Sequence, residues 1–159
     1  MSRINPEQSV IVFDLDDTLY AEYEYKYSGI RAVTALVAKL YPEFGETELL
    51  EKIDADGNGW LDELCALCNF NSEEKKSLLW YYRLHTPVLT PYWHPQKLAA
   101  FIRRFAAAAL ITDGRSLTQR LKLDALGIRY LFDEILVSES SGQEKPDGGR
   151  FYLLEKKYG

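Results

Sequence analysis

Residues that bind zinc or form disulfides are scarce in this chain. Among 159 residues there are two cysteines and two histidines. Cys65 and Cys68 are spaced C-x-x-C in a segment predicted to be helical, whereas a redox pair is expected near a strand-to-helix junction. His85 and His94 lack the histidine spacing that would add two zinc ligands. We therefore interpret the cysteines as reduced residues that pack on one helix face.

Clusters of positive charge and long apolar runs are also absent. The formal net charge is -5 and no run of Lys or Arg is longer than a pair, which argues against nucleic acid as the main partner. No apolar stretch approaches the length of a membrane span, and the amino terminus lacks the hydrophobic core of a signal peptide. We therefore expect a cytoplasmic protein without nucleic acid or membrane partners, and small charged ligands stay open as an alternative.

What the chain does contain is an apolar run that ends in carboxylates. Hydrophobic residues make up 47% of the chain, enough for a packed interior. The β-branched run at 10–13 is typical of a buried strand, but it is followed by Asp14, Asp16 and Asp17. Residues two apart in a strand point the same way, so we expect Asp14 and Asp16 to converge. Convergent carboxylates favour a divalent cation or a shared proton; acidic residues in a solvated loop are the alternative.

The segment after this run is predicted to be helical. Apolar residues recur at helical spacing up to about Leu40. Further helical patterns cover 46–53, 60–68 and 72–85. Asn71 and Glu74 form a predicted capping box before the last of these. Residues 54–65 imitate a calcium-binding loop, but Cys65 stands where its last ligand should be, so we interpret them as an acidic turn.

Helices and strands are predicted to alternate after an extended, proline-rich linker that ends near residue 95. The predicted elements are a helix from Pro95 to Phe105, a strand at about 107–112, a helix from Ser116 to Leu126 ended by Gly127, a strand at 134–137 and a final helix near the end of the chain. This order predicts a parallel sheet with right-handed crossovers. Ligands bind beyond the carboxyl ends of such strands, where Asp14 and Thr112 would face one crevice.

Residues 10–20 resemble the first motif of the haloacid dehalogenase (HAD) superfamily, a hydrophobic strand followed by D-x-D-x-T. In phosphatases of that superfamily the first aspartate is the nucleophile and the second is the general acid. The resemblance carries these roles to Asp14 and Asp16. Dehalogenases usually lack the second carboxylate, so Asp16 favours phosphoryl chemistry over cleavage of a carbon-halogen bond.

Two further stretches resemble later motifs of the same superfamily. Thr112, Asp113 and Gly114 match the second motif, in which a hydroxyl and the following backbone N–H hold the phosphate. Gly114 allows close approach of the backbone. Lys145 matches the lysine of a third motif, G-x-x-K-P at 142–146, and its charge would offset a bound phosphate beside two carboxylates. A solvated loop lysine is the alternative for Lys145.

The resemblance implies an α/β fold, a three-layer Rossmann-like core with a parallel sheet and an inserted all-helical cap. The predicted domains are the core, residues 1–20 and 91–159, and the cap, residues 21–90. The cap would exclude water and select a small phosphorylated substrate. Tyr20, Tyr23 and Arg115 are candidates for contact with that substrate, and a structural role is the alternative for each.

The activity implied by the resemblance is magnesium-dependent hydrolysis of a phosphate monoester. Asp14 would attack phosphorus in line, while Asp16 would protonate the leaving oxygen and later activate water against the aspartyl-phosphate. Mg²⁺ would be held by the Asp14 carboxylate and the Asp16 backbone carbonyl. A phosphomutase with the same motifs, and a non-catalytic binding or scaffold module, are alternatives.

A fourth motif, an apolar strand that ends in G-D or D-D, is expected after Lys145, and the sequence reaches Gly159 without it. The core would then be incomplete at its carboxyl end, in either a fragment or a short form, with fewer magnesium ligands and low turnover. The first strand would also present an unpaired hydrophobic edge, which favours a homodimer.

Overall fold

Residues 5–141 and 144–159 are described by the computed structural model. The chain divides into two compact units, residues 1–22 with 89–159, and residues 23–88. These boundaries lie two residues from those predicted for the core and the cap. Gly142 of the predicted third motif lies outside the described residues.

Strands occur near both ends of the chain, and the middle is helical. In chain order the elements are a 3-10 turn (Pro6–Gln8), β1 (Val10–Phe13), α1 (Glu22–Leu40), α2 (Glu46–Lys52), α3 (Trp60–Leu67), α4 (Ser72–Leu84), α5 (Pro95–Ile102), β2 (Ala107–Thr112), α6 (Ser116–Ala125), a second 3-10 turn (Arg129–Leu131), β3 (Glu134–Val137), α7 (Ser138–Ser141) and α8 (Gly149–Tyr158). Within the described ranges, the helices are too short or too polar to cross a membrane.

The three strands form one parallel sheet in the order β1-β2-β3, which confirms the predicted α/β class. β2 is buried along its whole length. A central strand covered on both faces needs apolar residues, and this tertiary context overrides the helix propensity of its alanines. Among the described strands β1 pairs only with β2, and a homodimer through its other edge stays a prediction.

Local signals set several element ends as predicted. The Asn71 side chain accepts N–H groups of the first turn of α4, and the Glu74 carboxylate accepts the Asn71 N–H at 2.8 Å, which completes the capping box. Gly127 has a φ of 65° and follows the end of α6. Helix α5 ends at Ile102 rather than Phe105, because the residues before β2 tighten into hydrogen bonds to the third residue back.

Residues 23–88 pack their helices around an apolar core. The buried members are Ile30, Val33, Val37, Leu49, Ile53, Trp60, Leu61, Leu64, Cys65, Cys68 and Leu78. Both cysteines are free thiols, and burial raises the pKa of each. Because the thiolate is the reactive form of cysteine, this burial supports a packing role.

The acidic turn after α2 is held by hydrogen bonds from a lysine of α1. The Lys26 ammonium donates to the backbone carbonyls of Asp56, at 2.7 Å, and Gly57, at 2.9 Å. In the part of the chain that the structure describes, acidic, histidine and cysteine side chains form no group of three or more that could hold a metal. The Lys26 contacts favour a turn at residues 54–59, whereas residues 60–65 of the predicted turn belong to α3.

Candidate active site

The loop that carries the first motif turns away from the sheet directly after β1. The strand ends at Phe13, and Asp17 adopts a left-handed conformation with a φ of 54°. The Asp17 carboxylate accepts the backbone N–H of Glu22 at 2.9 Å and so fixes the start of α1. Strand alternation therefore does not orient Asp14 and Asp16, and each carboxylate is instead held by its own lysine.

Asp14 pairs directly with the lysine of the third motif. Its Oδ1 lies 2.7 Å from Nζ of Lys145 and accepts the backbone N–H of Leu15 at 2.8 Å. The side chains of Asp14 and Lys145 are 41% and 32% exposed, so both are open to a ligand from solvent. The predicted nucleophile and the predicted phosphate-binding cation therefore lie together at the carboxyl end of β1.

The loop after β2 is fixed by hydrogen bonds within the same unit. Gly114 has a φ of 121°, a conformation that favours glycine, and its N–H donates to Oγ of buried Ser138 at 2.9 Å. The buried hydroxyl of Thr112 accepts a hydrogen bond from Nε2 of Gln119 at 2.6 Å. That hydroxyl keeps its own hydrogen for a further partner, whereas the Gly114 N–H is already engaged.

Asp113 links the second motif to the third and is held by Arg150. The Arg150 side chain is 1% exposed, and it donates to the Thr112 carbonyl at 2.8 Å and to the Asp113 carboxylate. Asp113 also accepts the backbone N–H of Lys145 at 3.1 Å. Burial alone would raise the pKa of Asp113, but the hydrogen bonds and charges of Arg150 and Lys145 outweigh it and lower that pKa. Asp113 is therefore an anion that holds the loop in place.

Asp16 lies in a cage of three donors. Its Oδ1 accepts hydrogen bonds from the Tyr20 hydroxyl and from Nζ of Lys122, the latter at 2.7 Å, and its Oδ2 accepts from Nε2 of Gln119 at 2.8 Å. Lys122 is buried and Asp16 is 21% exposed at its side chain. Charge-assisted hydrogen bonds of this kind fix the orientation of a carboxylate.

Gln119 joins the two predicted motifs. Its side-chain nitrogen lies 2.8 Å from Asp16 Oδ2, 2.6 Å from Thr112 Oγ1 and 2.9 Å from the Asp113 carbonyl oxygen. An amide nitrogen has only two hydrogens, so these three acceptors share them. Because one buried amide nitrogen contacts both Asp16 and Thr112, Gln119 holds the first and second motifs at a fixed separation.

The three candidate substrate contacts lie in different environments. Tyr20 is fully buried and its hydroxyl donates to Asp16, so it supports the carboxylate and does not face a ligand. Arg115 is exposed just before α6. Tyr23 belongs to the unit formed by residues 23–88, where it is 62% exposed and packs edge-on against Tyr27. A substrate role for Arg115 and Tyr23 stays a prediction.

Sequence reasoning missed five residues of the site: Glu22, Gln119, Lys122, Ser138 and Arg150. Gln119 and Lys122 are three residues apart on α6, so they share one face of the helix that follows the second motif, and this spacing was the available signal. Arg150 carried no local signal. Glu22 is partly buried. Its pKa is raised, mainly by burial and next by the negative charge of Asp16.

Residues 8–159 match the family of haloacid dehalogenase-like hydrolases. The match covers nearly the whole chain, and the protein belongs to this family. The chain is 33% identical over 147 residues to a glyceraldehyde 3-phosphate phosphatase of Methanocaldococcus jannaschii, covering 86% of this chain and 64% of that protein. It is 28% identical over 162 residues to the enzyme of the same name from Methanopyrus kandleri, covering 94% of this chain and 70% of that one.

Solved structures show the same fold. A HAD hydrolase of Bacillus subtilis, YfnB, solved bound to magnesium, superposes with a TM-score of 0.62 at 19% identity, covering 95% of this chain and 72% of that one. A predicted phosphoglycolate phosphatase of Haemophilus somnus gives a TM-score of 0.57 at 20% identity, covering 98% and 73%. These likenesses confirm the Rossmann-like HAD architecture.

Proposed function

We propose that the protein hydrolyses a phosphate monoester of a small metabolite, with Asp14 as the nucleophile. The observation that carries the proposal is the contact of Asp14 with Lys145 at 2.7 Å, at the carboxyl end of β1, with both side chains open to solvent. The names of the relatives support a phosphatase, although the chain spans only 64% of the length of the Methanocaldococcus protein. Glyceraldehyde 3-phosphate, the substrate in those names, is the first ester to test.

The proposed reaction has two halves. The Asp14 carboxylate attacks phosphorus and forms an aspartyl-phosphate, while the leaving oxygen takes a proton from Asp16. Water then attacks phosphorus and gives a proton to Asp16, while the bond from Asp14 to phosphorus breaks and inorganic phosphate leaves. The Lys145 ammonium reduces the repulsion between the incoming phosphate and Asp14, since it lies against that carboxylate.

Magnesium is the proposed cofactor. The solvent-open carboxylate of Asp14 and the backbone carbonyl of Asp16 are hard oxygen donors, and Mg²⁺ is usually held by one or two carboxylates together with waters and substrate phosphate. When bound, the ion would offset the negative charge that gathers as phosphate meets carboxylate. The magnesium in the YfnB structure supports this choice.

Release of inorganic phosphate by the full-length protein tests the proposal. We expect Asp14→Asn to lower hydrolysis of glyceraldehyde 3-phosphate and p-nitrophenyl phosphate by about 1000-fold or more, since it removes the nucleophile. Undiminished hydrolysis in that variant would rule the mechanism out. Transfer of the phosphoryl group to a sugar hydroxyl, with no phosphate released, would identify a phosphomutase instead.

Asp17→Asn is the matched control for this experiment. It removes the same charge from the same loop, yet keeps a side-chain oxygen for the Glu22 N–H, and asparagine tolerates the φ of 54°. We expect activity close to that of the unmodified protein. An equal loss of activity in both variants would show that the loss comes from removing negative charge from the loop and not from removing the nucleophile.

A further inference from the structure

Lys122 carries a buried charge that the proposed steps leave without a role. Its side chain on α6 is 6% exposed, and its Nζ lies 2.7 Å from Asp16 Oδ1 and 5.8 Å from the centre of the Tyr20 ring. Removing an ammonium from water is costly, and lysine is rarely buried without a charged partner. Asp16 is that partner, and Lys122 and Asp16 therefore form an ion pair at the predicted general acid.

The contacts of Asp16 determine which of its oxygens can react. An ionised carboxylate offers about four lone-pair positions on its two oxygens. Oδ1 accepts from Tyr20 and Lys122, and Oδ2 accepts from Gln119. With the contacts from residues 5–141 and 144–159, both positions on Oδ1 are filled and the remaining one is on Oδ2. The oxygen that exchanges a proton with substrate or water is therefore Oδ2.

We infer that Lys122 and Gln119 are positioning residues for the acid–base step, which present Oδ2 of Asp16 and balance the charge that Asp16 gains on proton transfer. The inference rests on the proposed phosphatase function. It adds two residues of α6 and a defined reacting atom to that function. Tyr20 completes the support, because its hydroxyl occupies the second position on Oδ1.

The proton balance follows from this arrangement. As the bond from Asp14 to phosphorus forms, the bond from phosphorus to the leaving oxygen breaks, and that oxygen takes the proton from Oδ2 of Asp16. The charge that Asp16 gains then lies against Nζ of Lys122, which contacts its Oδ1 at 2.7 Å. In the second half, the attacking water gives one proton back to Oδ2 and its hydroxyl to phosphorus. The bond from Asp14 to phosphorus breaks, which restores the Asp14 carboxylate and releases inorganic phosphate.

Leaving-group dependence distinguishes this role from a merely structural one. An alkyl phosphate needs a proton on its leaving oxygen, whereas p-nitrophenolate leaves without one. We expect Lys122→Met to lower kcat/KM about 100-fold for glyceraldehyde 3-phosphate and less than about 5-fold for p-nitrophenyl phosphate, because kcat/KM reports the steps up to the aspartyl-phosphate. Lys122→Arg, which keeps the charge and the N–H donor, is expected to recover at least about 10-fold of the alkyl activity.

Action through Asp16 is tested by a double-mutant cycle. Lys122→Met should cause no further loss of kcat/KM in an Asp16→Asn background. Turnover of p-nitrophenyl phosphate shows that each variant is folded, and Lys122→Gln replaces Lys122→Met if the latter does not fold. Lys156→Met, at an exposed position of α8, is the matched control and should leave kcat/KM unchanged for both substrates.

Three outcomes would overturn the inference. Equal losses for both esters would make Lys122 a structural residue, and additive losses in the cycle would show that it does not act through Asp16. A selective loss of the alkyl ester in Glu22→Gln, with none in Lys122→Met, would transfer the acid role to Glu22, the neighbouring carboxyl with a raised pKa. Failure of the unmodified protein to hydrolyse either ester would instead refute the proposed function.

Discussion

The two units of the chain bury different kinds of side chain. Among the described residues, the buried polar side chains of the unit formed by residues 23–88 are Thr34 and His85. The other unit buries Thr112, Gln119, Lys122, Ser138 and Arg150, and several of these contact the loops that follow β1 and β2. Polar burial is thus concentrated at the proposed active site.

The two sets also differ in the charge of their hydrogen-bond partners. Thr34 donates to the carbonyl of Ile30 in α1, and the ring nitrogens of His85 lie 2.6 Å from the carbonyl oxygen of Tyr82 and 3.0 Å from the hydroxyl oxygen of Ser28. Burial lowers the pKa of His85, which favours the neutral ring. Gln119 and Lys122, by contrast, both donate to the carboxylate of Asp16.

This difference separates what stabilises the fold from what prepares the chemistry. Hydrogen bonds between uncharged groups satisfy buried polar atoms at little cost. A buried charge costs more to desolvate, and such groups cluster at functional sites. Stability of the helical unit should therefore depend on packed volume, whereas removing one partner of a buried charge pair in the unit with the sheet should lower both stability and activity.

The largest expected effect is a loss of packed volume among residues 23–88. Leu64 is fully buried in α3, so we expect Leu64→Ala to lower the free energy of unfolding by about 3 kcal/mol. Leu67, in the same helix, is 40% exposed, and the same substitution there should cost much less. Chemical denaturation measures both. Equal losses would show that this core is loosely packed and would remove the contrast between the units.

The next largest effect is expected at Arg150. Arg150→Met removes a buried partner of Asp113 and of the Thr112 carbonyl, and should lower the free energy of unfolding by about 2 kcal/mol. Phosphatase activity should fall as well, because the loop that carries Thr112 loses its support. Arg129→Met, which breaks an exposed pair with Asp124, is the control and should leave both quantities nearly unchanged. A stable, fully active Arg150→Met would show that the charge pair is dispensable.

Helix ends and strands could be predicted from the sequence where residues close together in the chain determine them. The capping box at Asn71 and the left-handed Gly127 are set by residues within one turn, and both were predicted correctly. The strand at 107–112 was predicted from its polar end, since its alanines alone favour helix. The four-residue α7 has no periodicity to detect.

The donors that orient Asp16 depend on tertiary contacts. Lys122 and Gln119 lie more than 100 positions after Asp16, and polar residues on a helix are ordinarily assigned to the solvent face. Arg150 is buried only because β2 and its loop supply a carbonyl and a carboxylate. The motifs thus predict the groups that would react, and the fold is needed to identify the groups that hold them.

Two glycines allow the effect of strain to be separated from the effect on the site. Gly114 has a φ of 121° and Gly127 a φ of 65°, so alanine at either position should cost about 1 kcal/mol of unfolding free energy. A Cβ on Gly114 would be in ordinary contact with Gln119 at 3.5 Å and a Cβ on Gly127 would meet open space, so neither alanine clashes. The strain at Gly114 falls in the loop that follows Thr112, whereas the strain at Gly127 follows the end of α6. We therefore expect only Gly114→Ala to lower phosphatase activity, by several-fold. Equal activities in the two variants would show that the loop conformation does not matter for the reaction.

The smallest effect is a pH dependence of stability that comes from Asp113. Its pKa is lower in the folded protein than its ordinary value of 3.8, so the folded state binds fewer protons there than the unfolded state. The stabilisation is therefore present above about pH 4 and is lost as the pH falls below 3.8 through the folded value. Denaturation of the unmodified protein and of Asp113→Asn should give a difference in unfolding free energy that shrinks over this range. Arg150 is the main group that lowers this pKa, so Arg150→Met should remove most of the dependence, and its persistence in that variant would mean that Lys145 is the dominant partner.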